Sequence, residues 1–127
     1  MNINKIDFKK IIEKIDEPYR PETIAVLNDR VWVELSLHKG PFPLGMHHHE
    51  KDDELFICLE GEVSIQFPDT CTTLEKGQAI HIKAGQKHCP IATNNCFLIR
   101  IKSVPHMEAT LEDGRIISRK TLEDLNK

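Results

Sequence analysis

Short apolar segments, each interrupted by turn-forming residues, run through most of this sequence and constrain its fold more than any other feature. Residues 24–27 and 31–37 alternate or run apolar over strand lengths, with Asn28-Asp29 between them as a turn. Further segments of this kind are 54–60, 62–67, 71–75, 78–83, 87–92 and 96–104. Many short strands, with a turn every ~8 to 12 residues, predict an all-β sandwich or barrel.

One segment near the N-terminus follows a helical period instead. In residues 7–17, DFKKIIEKIDE, apolar side chains recur at i, i+3, i+4 and i+7, and Asp7 is in position to cap the first turn. Pro18 and Pro21 end this pattern. It predicts a short helix that packs on the core or covers a dimer contact.

A chain of 127 residues fits one domain with one hydrophobic core. We divide it into an N-terminal helix and lead-in at 1–21, a barrel at 22–105 and a polar C-terminal tail at 106–127. The tail contains a turn signal at residues 112–114, with room for a short helix near Thr121.

Composition narrows the classes of partner. The formal net charge of −3 argues against nucleic acids and anionic membranes. No apolar run approaches the ~20 residues that cross a bilayer, and the charged N-terminus is unlike a signal peptide, so we expect a cytoplasmic protein with a small-molecule partner. The four cysteines form no CxxC pair and are expected to be reduced, with Cys58 and Cys96 in the core.

Residues that carry chemistry concentrate in MHHHEKDDE, residues 46–54. In a strand, alternate side chains share a face, so His47 and His49 point together and His48 points away. Two such imidazoles can bind one metal ion at ~2.0–2.1 Å. The carboxylates that follow offer a third ligand: Glu54 is favoured because it opens an apolar strand, and Asp53 is the alternative.

A fourth ligand must come from farther along the chain. His88 is the best candidate because it follows the turn Ala84-Gly85-Gln86 and begins a strand, while His81, inside QAIHIK, is the alternative. Three neutral imidazoles and one carboxylate suit a divalent transition metal such as iron, manganese, nickel, cobalt or zinc. Such a site leaves positions for water or a substrate.

These motifs resemble those of the cupin superfamily. Its first motif, G-x5-H-x-H-x3–4-E-x6-G, matches residues 47–61, although Gly40 stands one position too early for the leading glycine. Its second motif, G-x5-P-x-G-x2-H-x3-N, matches residues 77–92, with Lys83 in place of the proline and Ala92 in place of the asparagine. The chain also resembles the small single-domain bacterial cupins described as phosphomannose-isomerase-like.

The resemblance spans about residues 22 to 102. It implies a double-stranded β-helix, or jelly-roll barrel, that is usually a homodimer. It also implies a metal inside the barrel, held by His47, His49, Glu54 and His88.

Fold alone does not select a function, because cupins include dioxygenases, sugar isomerases, decarboxylases and proteins that only bind small molecules. We expect a metalloenzyme of dioxygenase or isomerase type acting on a small polar metabolite. The alternative is a non-catalytic, metal-dependent module that binds or senses a small molecule.

The direction of two sets of polar side chains stays open at this stage. Residues 31–38 alternate apolar and polar, and the polar set includes Trp32 and Glu34. If this face points into the barrel, Glu34 becomes a candidate general base beside the metal. If it points outward, it is an exposed strand face with Trp32 at an interface. Likewise, an inward Arg100 would favour an anionic substrate.

Overall fold

The chain is built almost entirely from antiparallel strands within the residues that the computed structural model describes, 3–103 and 108–118. The predicted all-β class with a short N-terminal helix is confirmed. The helix, α1, occupies Phe8–Lys14, and the strands are β1 Glu22–Leu27, β2 Val31–Pro41, β3 His47–His48, β4 Glu54–Glu60, β5 Glu62–Gln66, β6 Cys71–Glu75, β7 Ala79–Ile82, β8 Cys89–Lys102, β9 Glu108–Leu111 and β10 Ile116–Ser118.

Helix α1 begins as the sequence predicts. The Asp7 side chain accepts a hydrogen bond from the backbone N–H of Lys10 at 3.2 Å. The helix ends at Lys14, before the predicted limit at residue 17, because Ile15 has extended backbone. No side chain of α1 is buried, so the predicted packing on the core is not seen. Across the described ranges, no helix has the length and apolarity to cross a membrane.

Strand β8 is the centre of the larger sheet. It pairs with β2 along one side and with β4 and β5 along the other. The sheet continues through β1 beyond β2, β7 beyond β4 and β6 beyond β5. A smaller sheet has the order β10-β9-β3, and a bridge between His47 and His88 joins it to the start of β8.

The two strands predicted at 87–92 and 96–104 are one continuous strand, β8. Asn94-Asn95 does not end it because β8 keeps cross-strand partners on both sides, Ile91 with Ser64 and Cys96 with His38. Backbone pairing therefore overrides a local turn signal.

The described part of the C-terminal segment forms a hairpin of β9 and β10. Its turn coincides with the signal at residues 112–114, where the Gly114 N–H donates to the Leu111 carbonyl at 2.9 Å. Strand β9 also pairs with β3, which carries His47. The helix predicted near Thr121 lies outside the described residues.

Cross-strand partners point to the same face of a sheet, so the register identifies the side chains that line the interior. Glu34 lies opposite Arg100, Arg100 opposite Phe56, and Lys102 opposite Glu54. All five side chains are buried, and Phe56 belongs to the main apolar cluster. The polar face of β2 therefore points inward, and Arg100 points inward with it.

The rest of the interior is apolar. Cys58 and Cys96 are fully buried there, as predicted, and all four cysteines are free. The cluster consists of Phe56, Cys58, Val63, Ile65, Phe67, Leu74, Ile82, Ala92, Cys96 and Leu98. The interior of the barrel therefore has two parts. One is apolar, and the other is lined by charged groups and imidazole rings.

Replacing Gly61 with alanine is expected to lower the free energy of unfolding by about 2 to 4 kcal/mol. Gly61 has φ +85°, and an added Cβ would lie 2.4 Å from the backbone oxygen of Asn95. Gly77→Ala is the matched control, because Gly77 has φ +87° but no atom within 4 Å of its Cβ position. Only the backbone term of ~1 kcal/mol is expected there. Urea denaturation compares the variants, and equal losses would contradict the expectation.

Candidate metal centre

Three histidines meet where β3 adjoins the start of β8. His47 lies on β3, His49 follows that strand, and His88 precedes β8. The His47 N–H donates to the His88 carbonyl at 3.0 Å and the reverse bond is 2.8 Å, which fixes the two segments side by side. One ring nitrogen from each histidine lies within 4.8 Å of the others, and all three side chains are buried. The structure thus brings these predicted ligands together.

A backbone carbonyl orients each of the three rings. The Nδ1–oxygen pairs are His47 with Gly45 at 2.9 Å, His49 with Glu108 at 2.7 Å and His88 with Gln86 at 2.8 Å. Because a carbonyl only accepts, each Nδ1 donates, and in the neutral ring Nε2 keeps its lone pair. Metal-binding histidines are held in this way.

The middle histidine of the run points elsewhere, as strand alternation predicts. The Nε2 of His48 lies 2.6 Å from Oε1 of Glu50, which is largely exposed. His48 is not part of the cluster formed by its two neighbours.

Glu54, the predicted carboxylate ligand, faces the same space. Its Oε1 lies 2.6 Å from Nε2 of His49 and 3.7 Å from Nε2 of His88. The second distance is too long for a hydrogen bond, and Nε2 of His88 has no hydrogen-bond partner among the described residues. A fully buried ring nitrogen without a partner is unfavourable unless something binds it. The donor set therefore fits a metal ion.

The two alternative ligands, Asp53 and His81, pair with each other instead. Nε2 of His81 lies 2.8 Å from Oδ2 of Asp53, and both side chains are more than half exposed. Asp53 also accepts a hydrogen bond from the Ala84 N–H at 2.8 Å. Neither residue belongs to the histidine cluster.

The charges of the site are strongly coupled. Burial, together with the neighbouring His88, lowers the pKa of His47 to about 3, so this ring is neutral at neutral pH. Burial also lowers the pKa of His49, but the hydrogen bond and charge of Glu54 outweigh it, and the net pKa is raised. Burial raises the pKa of Glu54, yet the hydrogen bond and charge of His49 hold it well below its usual range. A metal ion would bind Nε2 of His49 only in its unprotonated form.

Glu34, the predicted general base, is fully buried, and its Oε1 lies 3.1 Å from Nζ of Lys102. Lys102 also lies opposite Glu54 across β4 and β8. Burial and the nearby Arg100 lower the pKa of Lys102, while the charges of Glu34 and Glu54 act in the opposite direction. Lys102 therefore lies between Glu34 and the carboxylate of the cluster. A catalytic role for Glu34 stays a prediction.

His38 is a buried neighbour of the site to which the sequence assigned no role. Its Nε2 lies 3.0 Å from Oγ of Ser36, and its ring centre lies 5.0 Å from that of Tyr19. Burial, followed by the charge of Arg100, lowers the pKa of His38 to about 3, and the charge of Glu54 also acts on it. The alternation of polar residues along β2 was the available signal, but it did not give the direction of that face.

A groove of about 420 Å³ reaches Glu54 and Lys102. It lies where β2 and β4 begin and β8 ends, and its walls include the apolar side chains Val31, Leu55 and Ile101. Because Leu55 and Ile101 alternate with the inward-facing Glu54 and Lys102, this groove lies on the outer face of the larger sheet.

Comparison with known proteins gives concordant matches. The cupin domain (Cupin_2) matches residues 33–99. The protein YdbB of Bacillus subtilis (strain 168) is 35% identical over 79 residues, which are 61% of this chain and 67% of YdbB. A cupin-2 domain containing protein from Shewanella frigidimarina is 31% identical with a TM-score of 0.74, over 79% of this chain and 95% of that one. Protein NMB1881 from Neisseria meningitidis is 25% identical with a TM-score of 0.70, over 78% and 98%.

Proposed function

Because the chain belongs to the cupin domain family, with its double-stranded β-helix fold, we propose that it is a metalloenzyme whose barrel holds one divalent transition-metal ion. The proposed ligands are His47, His49, Glu54 and His88. The proposed substrate is a small polar metabolite, and the reaction is of dioxygenase or isomerase type. One observation carries the proposal: three buried histidines, each oriented by its own carbonyl, converge beside a buried glutamate.

The donor set suits iron(II), manganese, cobalt, nickel or zinc. When bound, such an ion supplies a Lewis acid and about two positions for substrate or water. The protein's own groups hold the ligands in place and limit access of water. The proposed general base is Glu34, whose Oε1 lies 3.1 Å from Nζ of Lys102.

These buried ionisable groups favour an enzyme over a module that only binds or senses. A site built for binding alone needs apolar walls and the metal ligands. Here Glu34, Arg100 and Lys102 add three further charged groups to the same interior, and an enzyme needs such a group in addition to the metal ligands.

Two measurements test the proposal in sequence. Elemental analysis of anaerobically purified protein should give about one transition-metal ion per chain. The metal-loaded protein is then screened for oxygen uptake and for isomerisation with phenolic, thiol and sugar-phosphate metabolites. Absence of metal after exposure to each of the five candidate ions would overturn the proposal. Tight ligand binding without turnover would support the binding or sensing module instead.

We also propose that the chain forms a homodimer through the outer face of the larger sheet. Cross-strand partners Val33, Ile101 and Leu55 share that face, and so do Leu35 and Ile99. Val33, Leu55 and Ile101 are only partly buried, whereas Leu35 and Ile99 are already buried within the chain. The same strands place their charged groups inside. An apolar outer face of this kind is typical of a contact between subunits.

Replacing Leu55 with lysine is expected to weaken dimerisation by about 100-fold or more, because the contact would bury an unpaired charge. Light scattering during size-exclusion chromatography measures the mass of each species. Gln66→Lys is the control, since Gln66 is an exposed strand residue on β5. A monomeric wild-type protein at micromolar concentration would exclude the proposed dimer.

A further inference from the structure

A second apolar cluster, separate from the main one, lies beside the proposed metal ligands. Its buried members are Tyr19, Phe42 and Cys89, and the partly buried Leu44, Met46 and Ile91 pack against them. Met46 directly precedes His47 in the chain. Cys89 directly follows His88. The cluster therefore borders two of the proposed ligands.

The ring of Phe42 lies against the ring of His47. Their centres are 4.5 Å apart and their planes are inclined by 37°. The backbone fixes Phe42 in this place, since its N–H donates to the Pro90 carbonyl at 2.9 Å and its carbonyl accepts from the Gly45 N–H at 3.0 Å. The carbonyl of Gly45 is the one that orients Nδ1 of His47, at 2.9 Å. One turn, residues 42–45, therefore holds the His47 ring through a hydrogen bond at Nδ1 and through a ring contact.

Tyr19 supports Phe42 from the α1–β1 linker, residues 15–21. The two ring centres are 5.7 Å apart with planes at 75°, which is an edge-to-face contact. The Tyr19 N–H donates to the Leu37 carbonyl at 2.9 Å. Three backbone carbonyl oxygens at the end of β2 lie near the Tyr19 hydroxyl, those of Lys39 and Gly40 at 3.0 Å and that of Pro41 at 3.2 Å. The linker is therefore fixed to β2, although no side chain of α1 is buried.

The backbone of Tyr19 is in an unfavourable conformation. Its φ is +62°, which bulky residues rarely adopt. Among the described residues, the other non-glycine positions with positive φ are Asn28 and Asp29, in a turn where such residues are usual. Tyr19 is only 5% exposed, and burial raises the pKa of its hydroxyl, which therefore stays protonated and donates. The contacts of a buried side chain hold this backbone in place, and such local strain is common at functional sites.

We propose that Phe42 and Tyr19 are positioning residues of the metal site, and that the α1–β1 linker thereby slows loss of the ion. This inference rests on the proposed metal site and gives the linker a part in it. Release of an ion requires its ligands to move away from it. For His47, that movement displaces Phe42 and, behind it, Tyr19. A ring that is already oriented also loses little conformational freedom when the ion binds.

The rate of zinc release tests this role. The protein is loaded with zinc and mixed with an excess of a chelator that changes colour when it binds zinc. Phe42→Leu should release zinc about 10- to 100-fold faster than the wild type, as is usual for loss of a group that orients a metal ligand. Tyr19→Leu should release it about tenfold faster, since its effect passes through Phe42. Tyr19→Phe keeps the ring contact and should stay within about fivefold of the wild type, because one hydrogen bond to a carbonyl contributes little.

Phe67→Leu is the matched control. Phe67 is buried in the main apolar cluster and, within the part of the chain that the structure describes, makes no ring contact with a histidine. The same loss of a buried ring should change zinc release by no more than about twofold there, because distant sites act independently. Urea denaturation of each variant separates a loss of overall stability from a loss at the site.

Zinc content separates failure of the metal site from failure of the positioning role. A wild type that binds no zinc would refute the metal site itself. A wild type that holds about one zinc ion per chain but releases it as fast as Phe42→Leu does would overturn the positioning role alone. Equal acceleration in Phe67→Leu would also overturn it. Tyr19→Leu takes the place of Phe42→Leu if the latter does not fold.

The orientation of the His47 ring is also measured without metal. In a long-range proton–nitrogen NMR spectrum, wild-type His47 should be a single tautomer with its proton on Nδ1, because the Gly45 carbonyl accepts there. In Phe42→Leu and Tyr19→Leu both tautomers should be present as the ring turns. A single, unchanged tautomer in both folded variants would overturn the positioning role.

Discussion

Alanine in place of His49 or Glu54 is expected to abolish stoichiometric metal binding while the barrel stays folded. Each change removes one of four proposed ligands, and loss even of a group that only orients a ligand typically costs 10- to 100-fold in affinity, so about 100-fold or more is expected here. Neither residue belongs to the main apolar cluster, which keeps its packing in both variants. Elemental analysis after gel filtration measures the metal, and circular dichroism measures the fold.

His48→Ala is the matched control, because His48 sits in the same run of histidines but contacts Glu50 outside the cluster. It should retain about one metal ion per chain. Stoichiometric metal in folded His49→Ala and Glu54→Ala proteins would refute the assignment of these ligands. Loss of metal in His48→Ala as well would indicate that a substitution anywhere in this run of histidines disturbs the site indirectly.

Strand alternation alone was enough to separate His47 and His49 from His48, and the structure has that arrangement. The period of two holds because each peptide in an extended chain turns the next side chain by about half a revolution. The preference for His88 over His81 rested on its place directly after a glycine turn. The structure puts His88 in the cluster and leaves His81 on the surface.

The contacts that the sequence does not predict are made between residues that lie far apart in the chain. Strand β9 contributes the Glu108 carbonyl that orients His49, and these residues are far apart in sequence. The sequence of the segment that contains β9 predicts only a polar tail, because it is mostly polar. Pairing with β3 turns such a segment into part of a sheet, and local pattern does not reveal that pairing.

The sequence also does not predict which face of β2 points into the barrel. Period two divided its side chains correctly into two faces, but both faces of its middle are buried, Glu34 on one side and Leu35 on the other. Hydrophobicity normally indicates the inner face, and here the inner face carries the charges. A functional interior is the kind of place where local rules fail, because the site requires groups that the core would otherwise exclude.

Acid is expected to destabilise the metal-free protein steeply below about pH 6.5, because His38 and His47 are buried as neutral rings. In the unfolded chain each takes up a proton near its ordinary pKa of ~6.5. In the folded protein the pKa of each is lowered to about 3. Between these values the unfolded state binds more protons, so the free energy of unfolding falls as pH falls. At pH 4 the loss is roughly 3 kcal/mol per histidine, and two such losses approach the whole stability of a small domain.

His49 and Glu54 determine the rest of the dependence of stability on pH. The pKa of His49 is raised, so its stabilising pair with Glu54 is complete below ~pH 6.5 and weakens as pH rises through the folded value. The pKa of Glu54 is lowered, so its contribution is lost only as pH falls below ~4.5 toward the folded value. Stability of the metal-free protein should therefore be greatest near pH 6.5 to 7.

Urea denaturation of metal-free protein from pH 4 to 8 measures this profile, and His38→Gln identifies its cause. The variant lacks one of the two buried imidazoles, so its stability should fall about half as steeply between pH 6 and 4 as that of the wild type. The control is His81→Gln, because His81 is more than half exposed and pairs only at the surface with Asp53. It should follow the wild-type slope in this range. A His38→Gln protein with an unchanged slope would show that the neutral, buried His38 is not a source of the acid sensitivity.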